Sequence, residues 1–152
     1  MTHRPTLTYT NRRYLDAIAD HVVIFDGAMG TSIQQRRLAA ADFGGEQYNG
    51  CNDYLSITRP DVIEAIHASF LAASAEAVET NTFRANRLTL GEYGLGERVL
   101  EINRAAAQIA RRVCDRFAAE TGIPRFVAGS IGPSGKLPSG NDPDLSNITF
   151  DA

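Results

Sequence analysis

His21-Val-Val-Ile-Phe-Asp-Gly-Ala-Met-Gly-Thr31 changes character halfway along. Its first half, His21 to Phe25, is a brief apolar, β-branched run. A continuous run of that kind fits a strand buried on both faces in a parallel sheet. Asp26-Gly27 ends the run, and the chain continues as a loop to Thr31. Upstream, Tyr14, Leu15 and Ile18 recur at three-to-four spacing and predict a short amphipathic helix over Asn11 to Asp20. Downstream, Ser32 to Leu38 can start another helix. From Ala39 to Asp53, the pairs Gly44-Gly45, Asn49-Gly50 and Asn52-Asp53 read as an extended connection.

The next helix is the best marked in the chain. Thr58 can cap it, Pro60 sits in its first turn, and Asp61 takes the reciprocal capping position. Its apolar stripe is Val62, Ile63, Ile66, Phe70 and Ala73. A second strand follows, Ala77-Val-Glu-Thr-Asn-Thr-Phe83, with Glu79, Asn81 and Phe83 on one face and Val78, Thr80 and Thr82 on the other. After a stretch marked by Gly91, Gly94 and Gly96, a long helix runs from about Glu97 to Glu120 on a stripe of Val99, Asn103, Ala106, Ala110, Val113 and Phe117. Thr121-Gly-Ile-Pro124 stops it, and Phe126 to Ile131 form a third strand.

Helices and strands that alternate in this way form parallel βα units with right-handed crossovers, so the fold class is α/β. Two architectures compete: a small doubly wound sheet, and part of a closed (β/α)8 barrel. A complete barrel takes about 250 residues. The chain has 152, so under the second reading it is a piece of one.

A composition of 43% apolar and 22% charged residues is that of a globular domain. The net charge of −3 provides no basic field for nucleic acid or an anionic membrane. Arg12-Arg13, Arg36-Arg37 and Arg111-Arg112 are isolated pairs, read as solvated helix faces. No apolar run approaches a membrane helix and the N-terminus does not read as a signal peptide, so the expected compartment is the cytoplasm. Cys51 and Cys114 are far apart and form no CxxC pair, so they indicate neither a disulfide framework nor a zinc knuckle. His3, His21 and His67 are read as structural.

Two motifs carry chemistry. Asp26-Gly-Ala-Met-Gly-Thr31 sits at the C-terminal end of a strand, where α/β enzymes gather their sites. Asp26 suits an ammonium group, and the backbone of Gly27, Ala28 and Met29 suits a carboxylate. A plain tight turn with a capping Asp accounts for the motif equally well. A phosphate cradle lacks its lysine. The second motif, Glu79 with Asn81, puts a carboxylate and an amide together at a strand end. They are either ligand contacts or a satisfied interior polar pair.

Together the blocks carry a resemblance. They are Val23 to Thr31, Asn52-Asp-Tyr-Leu55 with Pro60 to Ile66, Glu79 to Phe83, Ala128-Gly-Ser-Ile-Gly-Pro133, and Asn141-Asp-Pro143 through Asn147-Ile-Thr-Phe-Asp151. In this order they resemble the N-terminal homocysteine-binding (homocysteine S-methyltransferase) module of cobalamin-dependent methionine synthase. The resemblance implies the first three βα units of a (β/α)8 TIM barrel. Residues 1–20 would be an N-terminal extension and helix, and 21–152 a barrel domain incomplete at its C-terminus. It also implies methyl transfer from methylcobalamin to zinc-bound homocysteine, giving methionine.

Three cysteines hold that zinc in the family. They come from later strands, and neither Cys51 nor Cys114 matches them, so the resemblance assigns no metal ligand and no catalytic residue to this chain. The expected cofactors, zinc and cobalamin, belong to the full-length enzyme, with none bound by this chain alone. Asp26, Gly27, Ala28 and Met29 correspond to the homocysteine cradle, Glu79 and Asn81 to the barrel mouth near it, and Asn141 to its lining. The expected partners are homocysteine, the rest of the barrel, and the cobalamin and folate modules. A non-catalytic half barrel that associates through open sheet edges is the alternative, and a small nucleotide-binding domain a weaker third.

The sequence departs from the family at two positions. Ser74 stands where the family usually has Gly, at a helix end that favours a left-handed residue. Arg84 stands where a small residue is common.

Overall fold

Three parallel chain segments form the centre of the computed structural model, which describes residues 12–134. The elements in chain order are α1 (Arg13–Asp20), α2 (Met29–Gln35), α3 (Leu55–Thr58), α4 (Pro60–Ala72), β1 (Ala77–Glu79), α5 (Arg87–Gly91), α6 (Val99–Thr121) and β2 (Phe126–Ala128). Short 3₁₀ turns link them. β1 and β2 pair in parallel, with Ala77 opposite Phe126 and Glu79 opposite Ala128. On the other side of β1 a single parallel bridge joins Phe25 to Ala77. There Asp26 N–H donates to Ala77 O at 2.9 Å and Ala77 N–H to Ile24 O at 3.1 Å. The fold is mixed α/β, with β1 central and fully buried at Ala77 and Val78.

Helices α4 and α6 cover one face of this ladder. Val78 packs among Leu71 of α4 and Ala110, Val113 and Cys114 of α6. A second cluster joins Ile33 of α2 and Phe43 to Leu55, Val62, Ile63, Ile66 and Ile109. Pro60 opens α4 at a position where its missing N–H has no acceptor to lose. α4 ends in a Schellman arrangement: Ala75 N–H donates to Phe70 O, Ser74 N–H donates to Leu71 O, and Ser74 lies at φ +78°. Gly122, at φ +71°, closes α6. α1 buries none of its residues, yet the Tyr14 ring stands edge-on to both Phe25 and Phe126, the neighbours of Ala77 in the register.

Several expectations need correcting. Residues 21–25 are not buried on both faces: Val22 is 85% exposed, and the segment pairs only through Phe25. β-branched composition marks a segment suited to burial, but burial also needs a neighbour on each side, and β1 is the one neighbour this segment has among the described residues. The second and third strands are three residues each, because Thr80 to Thr82 turn away through a tight Thr82 N–H to Thr80 O bond. Thr58 does not cap α4. It closes α3, with its hydroxyl on Tyr54 O, and Asp61 instead receives the Arg59 guanidinium at 2.8 and 2.9 Å. α2 starts at Met29, not Ser32, because Ala28 takes the left-handed cap. The stretch 39–53 is a series of 3₁₀ turns that buries Phe43 and Cys51 rather than an extended connection.

Candidate functional site

A cavity of about 500 Å³ opens where the three parallel segments end. Its floor is Asp26 and the Gly27–Gly30 backbone, then Glu79, Thr80 and Asn81 after β1, and Ser130 after β2. Cys51 and Asp53 border it on one side, and Phe83, Arg84 and Tyr93 on another. The C-terminal ends of parallel strands converge here, which is where this architecture places chemistry.

Asp26 is fixed by its surroundings. Its Oδ1 accepts the Glu79 N–H at 2.9 Å, tying the first segment to β1. Its Oδ2 lies 3.9 Å from Nδ1 of His67, and its side chain is only 4% exposed. Ala28, two residues on, adopts a left-handed conformation, φ +48° and ψ +37°, and no side chain caps α2. A non-glycine residue there costs about 1–2 kcal/mol. Strain of this kind collects at ligand sites. The first-turn N–H groups of Met29, Gly30 and Thr31 have no acceptor within the helix.

Glu79 and Asn81 border the same cavity but are held differently. Ser130 Oγ donates to Glu79 Oε2 at 3.0 Å, and the Glu79 carboxylate remains exposed. Asn81 is buried, its Nδ2 donating to Asn52 O at 2.8 Å and to Ser56 Oγ at 3.3 Å. It ties the strand end to the 52–56 turn. Between them the Thr80 and Thr82 hydroxyls meet at 2.6 Å, Ser130 N–H donates to Thr80 Oγ1, and Thr82 Oγ1 donates to Ser130 O. This hydroxyl lacing holds the ends of β1 and β2 in register beyond their last ladder pair.

The charged groups at the cavity are Asp26, Asp53, Glu79 and Arg84. Arg84 Nη2 pairs with Glu92 at 2.8 Å on the exposed rim. Asp53 accepts the Arg84 N–H at 3.0 Å, and burial pushes its carboxyl above the usual range against that bond. Burial likewise pushes the Cys51 thiol up to about 11, so it is protonated at neutral pH. Cys114, beneath the sheet, is pushed up to about 11 by the same cause. Among the described residues no three His, Cys, Asp or Glu side chains converge as metal ligands. No described helix is long and apolar enough to cross a membrane.

The structure thus brings Asp26, the Gly27, Ala28 and Met29 backbone, Glu79 and Asn81 around one cavity. Asn141 lies outside the described residues. From the sequence, Asp53 and Ser130 receive no site role, although both fall within the motif blocks, and His67 is read as structural. The available signal for His67 was its place in the stripe of α4 between Ile63, Ile66 and Phe70, where an imidazole interrupts an apolar run.

Parallel strands ending on an acidic, backbone-lined cavity define an α/β protein of enzyme type. Residues 23–152 match the family model of homocysteine S-methyltransferase, and the chain belongs to that methyltransferase family. It is 45% identical over 128 residues to a methionine synthase of Mycobacterium tuberculosis and 42% identical over 125 residues to one of Mycobacterium leprae. Each match covers 82% of this chain and 10% of the relative, so the chain spans about a tenth of the length of these curated relatives. Crystal structures of the homocysteine methyltransferase MmuM from Escherichia coli superpose with TM-scores of 0.65 (oxidized form) and 0.64 (metallated form), both at 26% identity. They cover 80% and 78% of this chain, and in each case 41% of the MmuM chain.

Proposed function

We propose that this chain forms the first βα units of a (β/α)8 barrel over residues 21–152, with residues 1–20 as an extension and helix, and that its cavity receives the amino-acid end of homocysteine. The observation that carries this is the arrangement around the cavity. Two carboxylates, Asp26 and Glu79, border the cavity beside the Gly27, Ala28 and Met29 backbone, which is strained at Ala28. An amino acid is an ammonium and a carboxylate a few ångströms apart, and this floor is complementary to both. Asn81 shapes the mouth, and Asn141 is assigned to its lining by the family resemblance alone.

The family's chemistry needs zinc to hold homocysteine as a thiolate and methylcobalamin to supply the methyl group. The described residues do not fit the zinc, since Cys51 and Cys114 are buried, protonated thiols with no converging third donor. Metal binding and methyl transfer are therefore assigned to other parts of a longer, cytoplasmic, methionine synthase-like protein. This chain alone should form no methionine from zinc, homocysteine and methylcobalamin.

The direct test compares L-homocysteine with 4-mercaptobutanoate, which lacks the ammonium group. Calorimetric or NMR titration should give tighter binding of L-homocysteine, and Asp26→Asn should remove the difference. Equal binding of the two ligands to the unaltered chain would defeat the reading.

One observation favours a second reading, association of half barrels. Ile131 is 93% exposed and Val22 85%, and both flank sheet edges with no partner among the described residues. Light scattering decides between them: a monomer that melts cooperatively argues against obligatory assembly.

A further inference from the structure

We infer that His67 is a positioning residue for Asp26 and, through it, for recognition of the substrate's ammonium group; this rests on the amino-acid reading of the cavity. His67 has no exposed surface, and neither ring nitrogen has a hydrogen-bond partner among the described residues. Packing does not account for an imidazole here. A leucine would fill the stripe of α4 between Ile63, Ile66 and Phe70 without burying two polar atoms; among the described residues only Arg125 Nε shares this lack of a partner, and its guanidinium still donates through Nη1 to Ala75 O.

The acid it faces is Asp26, with Nδ1 3.9 Å from Oδ2. That separation is too long for a hydrogen bond, but both groups are shielded from solvent, so the ring's N–H dipole acts on the carboxylate and a small approach closes the bond. The tautomer with its proton on Nδ1 offers Asp26 a donor, whereas the other would set a lone pair against the carboxylate. Asp26 is thereby held from two sides: Oδ1 by the Glu79 amide of β1 and Oδ2 by the ring on α4. Cys114, also packed beneath β1, donates its S–H to Phe126 O at 3.5 Å.

With the carboxylate plane fixed from below, its remaining lone pairs have one orientation toward the cavity. Removing the ring frees rotation about χ2 of Asp26 and weakens recognition of the ammonium group. The thiol and carboxylate ends of the ligand do not meet Asp26 and are unaffected. His67 therefore acts on substrate through Asp26 and touches no reacting atom.

The test is the affinity of His67→Leu and His67→Gln for L-homocysteine and for 4-mercaptobutanoate. His67→Leu should lose about tenfold in affinity for L-homocysteine, the worth of one weakened charge-assisted hydrogen bond. Affinity for 4-mercaptobutanoate should not change, and His67→Gln, which restores a donor, should recover part of the loss. A purely structural role would weaken both ligands together and overturn the inference, as would two variants that keep the full preference. Should neither variant fold, ¹⁵N-histidine NMR of the unaltered chain takes their place. The His67 ring resonances should move with L-homocysteine and stay still with 4-mercaptobutanoate, and resonances indifferent to both would overturn the inference. If the unaltered chain shows no preference between the ligands, the amino-acid reading itself fails and this inference falls with it.

Discussion

Replacing Ser74 by glycine should stabilise the chain. Ser74 sits at φ +78° in the Schellman end of α4, where its backbone supplies one N–H to Leu71 O and Ala75 supplies the second to Phe70 O. An L-residue in that region carries roughly 1–2 kcal/mol of strain. Glycine relieves it but loses about 0.4–1 kcal/mol through a more flexible unfolded chain. The net gain is about 0.5–1 kcal/mol, equivalent to roughly 1–4 °C in Tm for a chain of this size. Both hydrogen bonds are made by backbone and survive the change. Urea and thermal denaturation of Ser74→Gly, Ser74→Ala and Ala73→Gly separate the contributions. Ser74→Ala keeps the Cβ and should be neutral, whereas Ala73→Gly should destabilise, because Ala73 lies at φ −82° and has no strain to relieve. A Ser74→Gly chain no more stable than the original would refute the reasoning.

Other substitutions probe the cavity and its surroundings. A Cβ on Gly132 would stand 2.3 Å from Phe83 O and 2.9 Å from the Phe83 ring, so Gly132→Ala should cost about 1–3 kcal/mol, read by urea denaturation, and displace Phe83 at the mouth. Asp53 has its carboxyl raised by burial, so its charged form opposes folding at neutral pH and this cost fades as pH falls through the folded-state value. Asp53→Asn keeps an acceptor for the Arg84 N–H. It should therefore raise Tm at pH 7 by more than at pH 4, and an equal or reversed difference would count against this account. His21 is raised above its ordinary value of 6.5 by hydrogen bonds to Glu76 and then Asp20. It contributes stability that is fully present below pH 6.5 and lost as pH rises through the raised folded value. An NMR titration of His21 should give a midpoint above 6.5, and Glu76→Gln should lower it.

The sequence reads well where the signal is local. Pro60 with the stripe Val62, Ile63 and Ile66 locates α4, and Gly122 ends α6, because start, stop and burial all reside in neighbouring residues. The His21–Phe25 run reads poorly, since its composition reports suitability for burial while its exposure depends on which segments stand beside it. α5 went unread because it is five residues long, and only Asn86, accepting from the Leu88 and Thr89 amides, announces it. At the site, Asp26 was legible from its place after an apolar run. Its partners were not: the Glu79 amide and the His67 ring reach it across the sheet and from a helix, and no spacing along the chain encodes which helix face meets which strand. Glu79 and Asn81 were legible as neighbours. Their separate tethers to Ser130 and to Asn52 depend on turns that alternation cannot reveal.

The central claim is that the cavity at the strand ends takes the amino-acid end of homocysteine. Mapping backbone amide shifts of ¹⁵N-labelled chain during titration with L-homocysteine tests it most directly. The account predicts that the largest shifts fall on Gly27, Ala28, Met29, Gly30, Glu79 and Asn81, and that Asp26→Asn suppresses them. Shifts centred on the exposed sheet edges, or no saturable shifts at all, would contradict it.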